Sequence, residues 1–245
     1  MTKLINPSLG SAVEKSSQDL PEVLRMLAHK LSQPLTTLRG SVEVALMGEL
    51  DESECRSVLE LSLQESHRMA EILETLRNVL ELEGPSEHPQ PILWTENVER
   101  WLAEATSVNK NGARQPVSKI DPDIWVQASF HPLDLATERL LSGAMRAARG
   151  NHVVRIDLSG HGEMACLSVK CAGIFDTASA GVYGMPLPLI PELLQPGGLD
   201  EWIIRRAVER QGGWLNVVRI SDSELCYRLS IPLAFAEQAV EVQTP

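Results

Sequence analysis

Apolar residues recur near the start of the chain at alternating spacings of four and three: Leu24, Ala28, Leu31, Leu35, Leu38, Val42 and Ala45. That period is the seam of a helix lying along another helix. The polar stretch before it, residues 1–17, contains Pro, Gly and several Ser and reads as a disordered N-terminal segment, with order beginning near Ser17. After a break at Gly48 to Asp51, a second helical pattern runs from Glu52 to Glu83, with Val58, Met69, Ile72, Leu76 and Val79 on one side and many Glu and Arg on the other. Two long helices joined by a short connection form an antiparallel hairpin over 18–84. One hairpin cannot hide its apolar seam alone, so the expected solution is a homodimer closing a four-helix bundle.

Gly84 to Pro91 (GPSEHPQP) carries three prolines and a glycine and reads as a linker, placed at 85–91. Beyond it the period changes. Helical patterns at Trp94 to Ser107, Pro132 to Arg149 and Leu199 to Gln211 alternate with strand-like runs at Pro116 to Ile120, Trp125 to Ala128, Val153 to Ser159, Met164 to Cys171, Trp214 to Ile220 and Leu225 to Leu233. A Gly- and Pro-punctuated loop covers Ala172 to Gly198, and Gly212 and Gly213 stop the last helix. The expected fold is therefore α+β: a helical hairpin followed by an α/β sandwich over 92–236, with helices on one face of a mixed, largely antiparallel sheet, and a tail at 237–245.

Charge narrows the function. With 33 acidic against 22 basic residues the net charge is -11, so no broad basic surface is available to neutralise phosphates, which argues against nucleic-acid binding. The N-terminus lacks the apolar core of a signal peptide, and the longest greasy run, VYGMPLPLIPELL, is short and broken by prolines. A cytoplasmic protein without membrane spans is expected. Cys55, Cys166, Cys171 and Cys226 form no CxxC pair and read as buried thiols, with Cys166 and Cys171, five apart in a strand, pointing to opposite faces. His67, His88, His131, His152 and His161 are scattered without ligand spacing, so no metal site is expected. Trp94, Trp101 and Trp125 read as core or interface anchors, Trp202, Ile203 and Ala207 as the buried face of the last helix, and Arg205, Arg206 and Arg210 as a solvated basic face.

One histidine stands apart. His29 directly follows the seam residue Ala28, so its ring lies on the flank of the bundle, open to water and to a docking partner. Pro34, five residues on, removes the backbone hydrogen bond to the carbonyl of Lys30 and loosens the helix beside the ring. A flanking imidazole is a competent nucleophile toward a phosphoryl group. The run AHKLSQPLTTLRG, Ala28 to Gly40, resembles the phosphoacceptor box of two-component sensor histidine kinases, whose usual form is AHELRTPLTAIRG or AHELNQPLTAIRG; His29, Leu31, Gln33, Pro34, Leu35, Thr36, Arg39 and Gly40 fit it. SHRMAEILETLRNVLELE is similar to the second helix of the same module, and the order of elements after the linker resembles the histidine-kinase type of ATP-binding domain. The resemblance spans residues 20 to 235 and implies that His29 is the phosphoacceptor.

The chain departs from the family where ATP chemistry is done. The residue after the histidine is usually Glu or Asp, the base proposed to take the imidazole proton; here it is Lys30, a cation suited instead to contact an acidic, phosphorylated partner. Setting LLSGAMRAARG against the typical NLLDNAIK places Arg146 where the magnesium-holding asparagine belongs. KCAGIFD stands where the family has DxGxG, with Cys171 at the adenine-binding aspartate and only Gly173 retained. GLDEWII replaces the GLGL turn that meets the phosphates, putting Asp200 and Glu201 at a helix start, where they cap the helix and repel a triphosphate. Three parts of one nucleotide site are degenerate together, so no ATP or other cofactor is expected to bind.

Two functions compete. In the first the protein is a histidine phosphotransferase: His29 takes a phosphoryl group from the aspartate of one response-regulator receiver domain and gives it to another without ATP, the receiver supplying magnesium. Bacterial phosphotransferases that resemble kinases with a degenerate ATP domain show that the architecture can serve this role. Gln33, one turn after His29, is a candidate to orient a water for dephosphorylation and equally an ordinary exposed residue. In the second, a pseudokinase regulates a receiver or a kinase by binding alone. A divergent active histidine kinase stands behind both.

Overall fold

The computed structural model describes residues 9–48, 50–85, 88–108, 115–147, 153–172, 199–221 and 224–234, with the side chains of the first helix described from Leu20 onward. The chain divides into two compact units, Met1–Pro85 and Ser86–Pro245.

The first unit is the expected hairpin of α1 (Leu9–Met47) and α2 (Glu52–Glu83). Helix α1 begins at Leu9, upstream of Ser17, because SAVEKSSQDL is composed mainly of tolerable helix formers despite its polarity. Residues 1–8 lie outside the described residues. Asp51 starts α2 with a full capping box: its side chain accepts from Glu54 N at 2.8 Å, and the Glu54 carboxylate accepts from Asp51 N at 3.0 Å.

The seam of α1 is two stripes rather than one. Val23, Leu27 and Pro34 are buried, and Leu31, Leu38 and Ala45 half-buried, on the side that meets α2. Leu35, Val42 and Leu46 are exposed, Leu35 by 54% and Leu46 by 82%. Helix α2 repeats the division: Val58, Met69, Ile72, Leu76, Val79 and Leu82 turn inward, whereas Leu59, Leu63, Leu73 and Leu80 are exposed. A residue advances about 100° around a helix, so apolar positions that alternate by three and four over a wide arc cover both an internal contact and a second, outward one.

The second unit places a five-stranded sheet, ordered β2-β4-β5-β7-β6, against helices. Its strands are β2 (Val117–Ile120), β4 (Arg155–His161), β5 (Met164–Ala172), β6 (Trp214–Ser221) and β7 (Glu224–Pro232); β2 runs parallel to β4 and the other pairs are antiparallel. A separate antiparallel pair joins β1 (Gln90–Leu93) to β3 (Trp125–Ala128). Gln90 and Pro91, read from sequence as linker, are therefore strand; in a two-stranded ribbon the missing proline N–H can face outward. Helices α4 (Phe130–Ala147) and α5 (Leu199–Glu209) lie side by side on the sheet, with α3 (Trp94–Val108) against α4. Leu140, Leu141, Ile203, Ile204 and Ala207 from the helices meet Leu158, Leu167, Val169, Leu229 and Ile231 from the strands, all fully buried. The loop expected over Ala172 to Gly198 falls, from residue 173, outside the described residues.

Two polar devices hold the helices in place. Asp134 Oδ1 on α4 accepts from three α3 side chains: Asn97 at 2.6 Å, the Trp101 indole at 2.7 Å, and Arg100. The fully buried Trp94 donates its indole N–H to Thr137 Oγ1 at 3.0 Å. Helix α5 ends as its glycines predict. Gly212 takes φ +72, and a side chain on Gly213 would meet the Ser230 carbonyl at 2.1 Å, so β7 requires glycine there.

Asp134→Ala leaves three donors on α3 without their acceptor and should lower the stability of the second unit by about 2 kcal/mol in urea unfolding. Asp51→Ala removes the capping box and should cost the hairpin about 1 kcal/mol, read as earlier loss of helical circular dichroism, with the second unit unaffected.

Candidate functional site

The sequence points to two places, and the structure describes each within its own unit. In the hairpin, His29 is exposed on α1, with Leu27 buried two residues before it. Arg25, Ser32, Gln33 and Thr36 are exposed on the same outward arc, while Lys30 is half-buried. Pro34 is buried within the unbroken helix and cannot donate to the Lys30 carbonyl. Around it, hydroxyls bond back to the preceding turn: Ser32 to Ala28 O at 2.9 Å, Thr36 to Ser32 O at 2.8 Å, and Thr37 to Gln33 O at 3.2 Å. Such back-bonding shares carbonyls that the helix ladder also uses, and with Pro34 it softens this stretch of backbone. The imidazole is open to in-line approach by a phosphorylated group, and Gln33 lies one turn away on the exposed surface.

In the second unit, α4, the start of α5 and the end of β5 carry the remaining candidates. Asp200 is 2% exposed, and its Oδ1 accepts from Arg139 Nη1 at 3.2 Å; the Arg139 side chain is itself only 14% exposed. Its neighbour Glu201, also buried, accepts from Arg205 at 2.5 Å, and Arg205 donates a second bond to the Leu215 carbonyl at 3.1 Å. The positive end of α5 is thus matched by two carboxylates of its own first turn, each neutralised by an arginine. Glu138, beside this pair, is held above the ordinary carboxyl range by burial, against the opposing pull of Arg139 and Arg146.

Arg146 itself is exposed in the last turn of α4. The paired leucines of the typical motif coincide with the fully buried Leu140 and Leu141, and that register places Gly143, not Arg146, at the magnesium-binding asparagine. In the same register Arg139 falls on the motif's first asparagine. Sequence reasoning passed over Arg139, although a cation at the edge of the stripe formed by Ala136, Leu140, Gly143 and Ala144 was the available signal.

Cys171 is fully buried on β5 with Leu167 and Val169, and burial pushes its thiol up to about 12. It is neutral at physiological pH and cannot offer the two acceptor oxygens of an aspartate. Burial also raises the Tyr227 phenol, with Cys171 and Glu201 close enough to add to the effect, so the end of β5 and the start of α5 do converge. Gly173 lies outside the described residues. Among the described residues no three His, Cys, Asp or Glu converge as a metal site, and no helix is long and apolar enough to cross a membrane.

Comparison with known proteins bears on both units. Residues 20–85 match the His Kinase A (phospho-acceptor) domain model. The sensor histidine kinase YcbM of Bacillus subtilis (strain 168) is 22% identical over 213 residues, spanning 83% of this chain and 68% of the relative. The fold is similar to that of the histidine kinase AdeS of Acinetobacter baumannii, with a TM-score of 0.58 at 17% identity over 84% of this chain and 98% of that one. The hairpin thus matches the His Kinase A (phospho-acceptor) domain, and the chain as a whole is similar in sequence to a sensor histidine kinase and in fold to a histidine kinase.

Proposed function

We propose that the protein is a histidine phosphotransferase that moves phosphoryl groups between receiver-domain aspartates through His29 and does not use ATP. The observation that supports this best is the buried ion pair of Asp200 and Arg139. It sets a carboxylate at the helix start where the family's GLGL turn meets phosphates. A triphosphate entering there would have to displace Asp200 and separate it from its arginine, breaking a buried ion pair. Gly143 and Cys171 supply neither a metal ligand nor a carboxylate.

The transfer needs little from the hairpin beyond a positioned nucleophile. The lone-pair nitrogen of the His29 ring attacks phosphorus, and the P–O bond to the receiver aspartate breaks with its electron pair left on the carboxylate. The proton on the other ring nitrogen then passes to water. Charge on the transferring group is met by the magnesium ion and lysine of the receiver, so rate comes mainly from orientation. Gln33 is assigned the orientation of water during dephosphorylation, and Lys30 a contact with the partner. The outward apolar stripes of α1 and α2 are assigned to a second copy of the hairpin, which buries Leu35, Val42, Leu63 and Leu73 in a four-helix bundle.

Lys30 in place of an acid also suits a pseudokinase that docks a receiver without chemistry, and labelling separates the readings. The purified full chain, mixed with receivers phosphorylated by radiolabelled acetyl phosphate, should take up acid-labile label. His29→Ala should take up none, and γ-labelled ATP with magnesium should give none. Absence of label across a broad receiver panel would favour the binding module, and label from ATP would establish an active kinase. Leu63→Glu with Leu73→Glu should convert a dimer to a monomer in sedimentation velocity, because two carboxylates per copy would enter the apolar seam. A monomeric parent chain would contradict the bundle.

A further inference from the structure

Arg25 lies one helical turn before His29 on the same outward face. Residues four apart on a helix are separated by only about 40° around the axis, with Cβ atoms about 5–6 Å apart. Side chains on an α-helix lean toward its N-terminus, so the His29 ring tilts back over the turn that carries Arg25. Both residues are exposed. Among the described residues Arg25 makes no ion pair and no side-chain hydrogen bond, whereas the next exposed arginine on this helix, Arg39, is tied to Glu43 at 2.7 Å. Glu22 shares the face of Arg25 and is also exposed, but no ion pair joins them. The arrangement leaves an unengaged guanidinium beneath the ring of a candidate phosphoacceptor.

Building on the phosphotransferase reading, we propose that Arg25 binds the phosphoryl group carried by His29. A phosphoimidazole presents anionic oxygens about one side chain's reach from the Cβ of Arg25, and the planar fork of a guanidinium matches two phosphoryl oxygens at once. The same fork meets the charge that spreads over the equatorial oxygens while the N–P bond forms and the aspartyl P–O bond breaks. Lys30 is ill placed for this contact. It is half-buried and about 100° around the helix from His29, so the two cations divide the work: Arg25 for the phosphoryl group, Lys30 for the surface of the partner. Arg25 thus offers a local positive charge in a chain whose net charge is -11, where an anionic substrate otherwise meets repulsion.

The test follows label transfer from a radiolabelled phosphoreceiver to the full chain, comparing Arg25→Ala, Arg25→Lys and the parent, with helicity and sedimentation as controls. Arg25→Ala should slow transfer at saturating receiver by about tenfold or more and shorten the lifetime of phospho-His29, with the KM for receiver little changed. Arg25→Lys should recover part of the rate, since a point charge lacks the fork. Parent-like transfer by Arg25→Ala, or an effect confined to KM, would overturn the assignment while leaving the phosphotransferase intact. A parent chain that takes no label from any receiver would instead overturn the phosphotransferase reading, and the assignment with it.

Discussion

A carboxylate buried at the first turn of a helix must be neutralised from outside that turn, and here Arg139 of α4 does so for Asp200 of α5. That pair ties the two helices that cover the sheet. Isolating either ion in the interior would cost several kcal/mol, so the pair resists opening. The helix end that ordinarily attracts anions is satisfied from within, and Glu201 with Arg205 repeats the device one residue later. The proposed loss of nucleotide chemistry in this unit therefore rests on a positive interaction as much as on missing groups.

The hairpin is free of that constraint and keeps an exposed histidine, the group that the proposed phosphoryl exchange requires. Its inner stripe holds α1 to α2, its outer stripe stays exposed, and the remaining arc carries His29, Arg25 and Gln33. A nucleophile on that arc is accessible without disturbing either stripe. The two units depend on different residues: the inner stripe of α1 and α2 holds the first, and Asp200 with Arg139 ties the helices of the second.

Most elements were legible because their periods are strong. The capped helix from Glu52, the strand Trp125 to Ala128 and the glycine stop after α5 follow directly from spacing, caps and turn residues. Strand β1 was not, since Pro91 reads as punctuation until its partner β3 is known. The double stripe on α1 was hidden for a related reason. A spacing of threes and fours fits one broad seam or two narrow ones, and only the position of α2 decides which residues turn inward. At the degenerate site, Cys171 and Asp200 were readable as departures, but the register of α4 was not. Setting LLSGAMRAARG against the family motif put Arg146 at the asparagine, whereas Gly143 and Arg139 gain meaning from the burial of Leu140 and Leu141 and the approach of Asp200.

The self-neutralised start of α5 is tested most directly by titrating the full chain with magnesium ATP in a calorimeter, alongside a family member that binds nucleotide. Closure of the site by Asp200 and Arg139 predicts no saturable heat from this chain up to millimolar nucleotide. A saturable isotherm at micromolar ATP would mean that the ion pair opens readily, and would contradict the assignment of this protein to ATP-independent phosphotransfer.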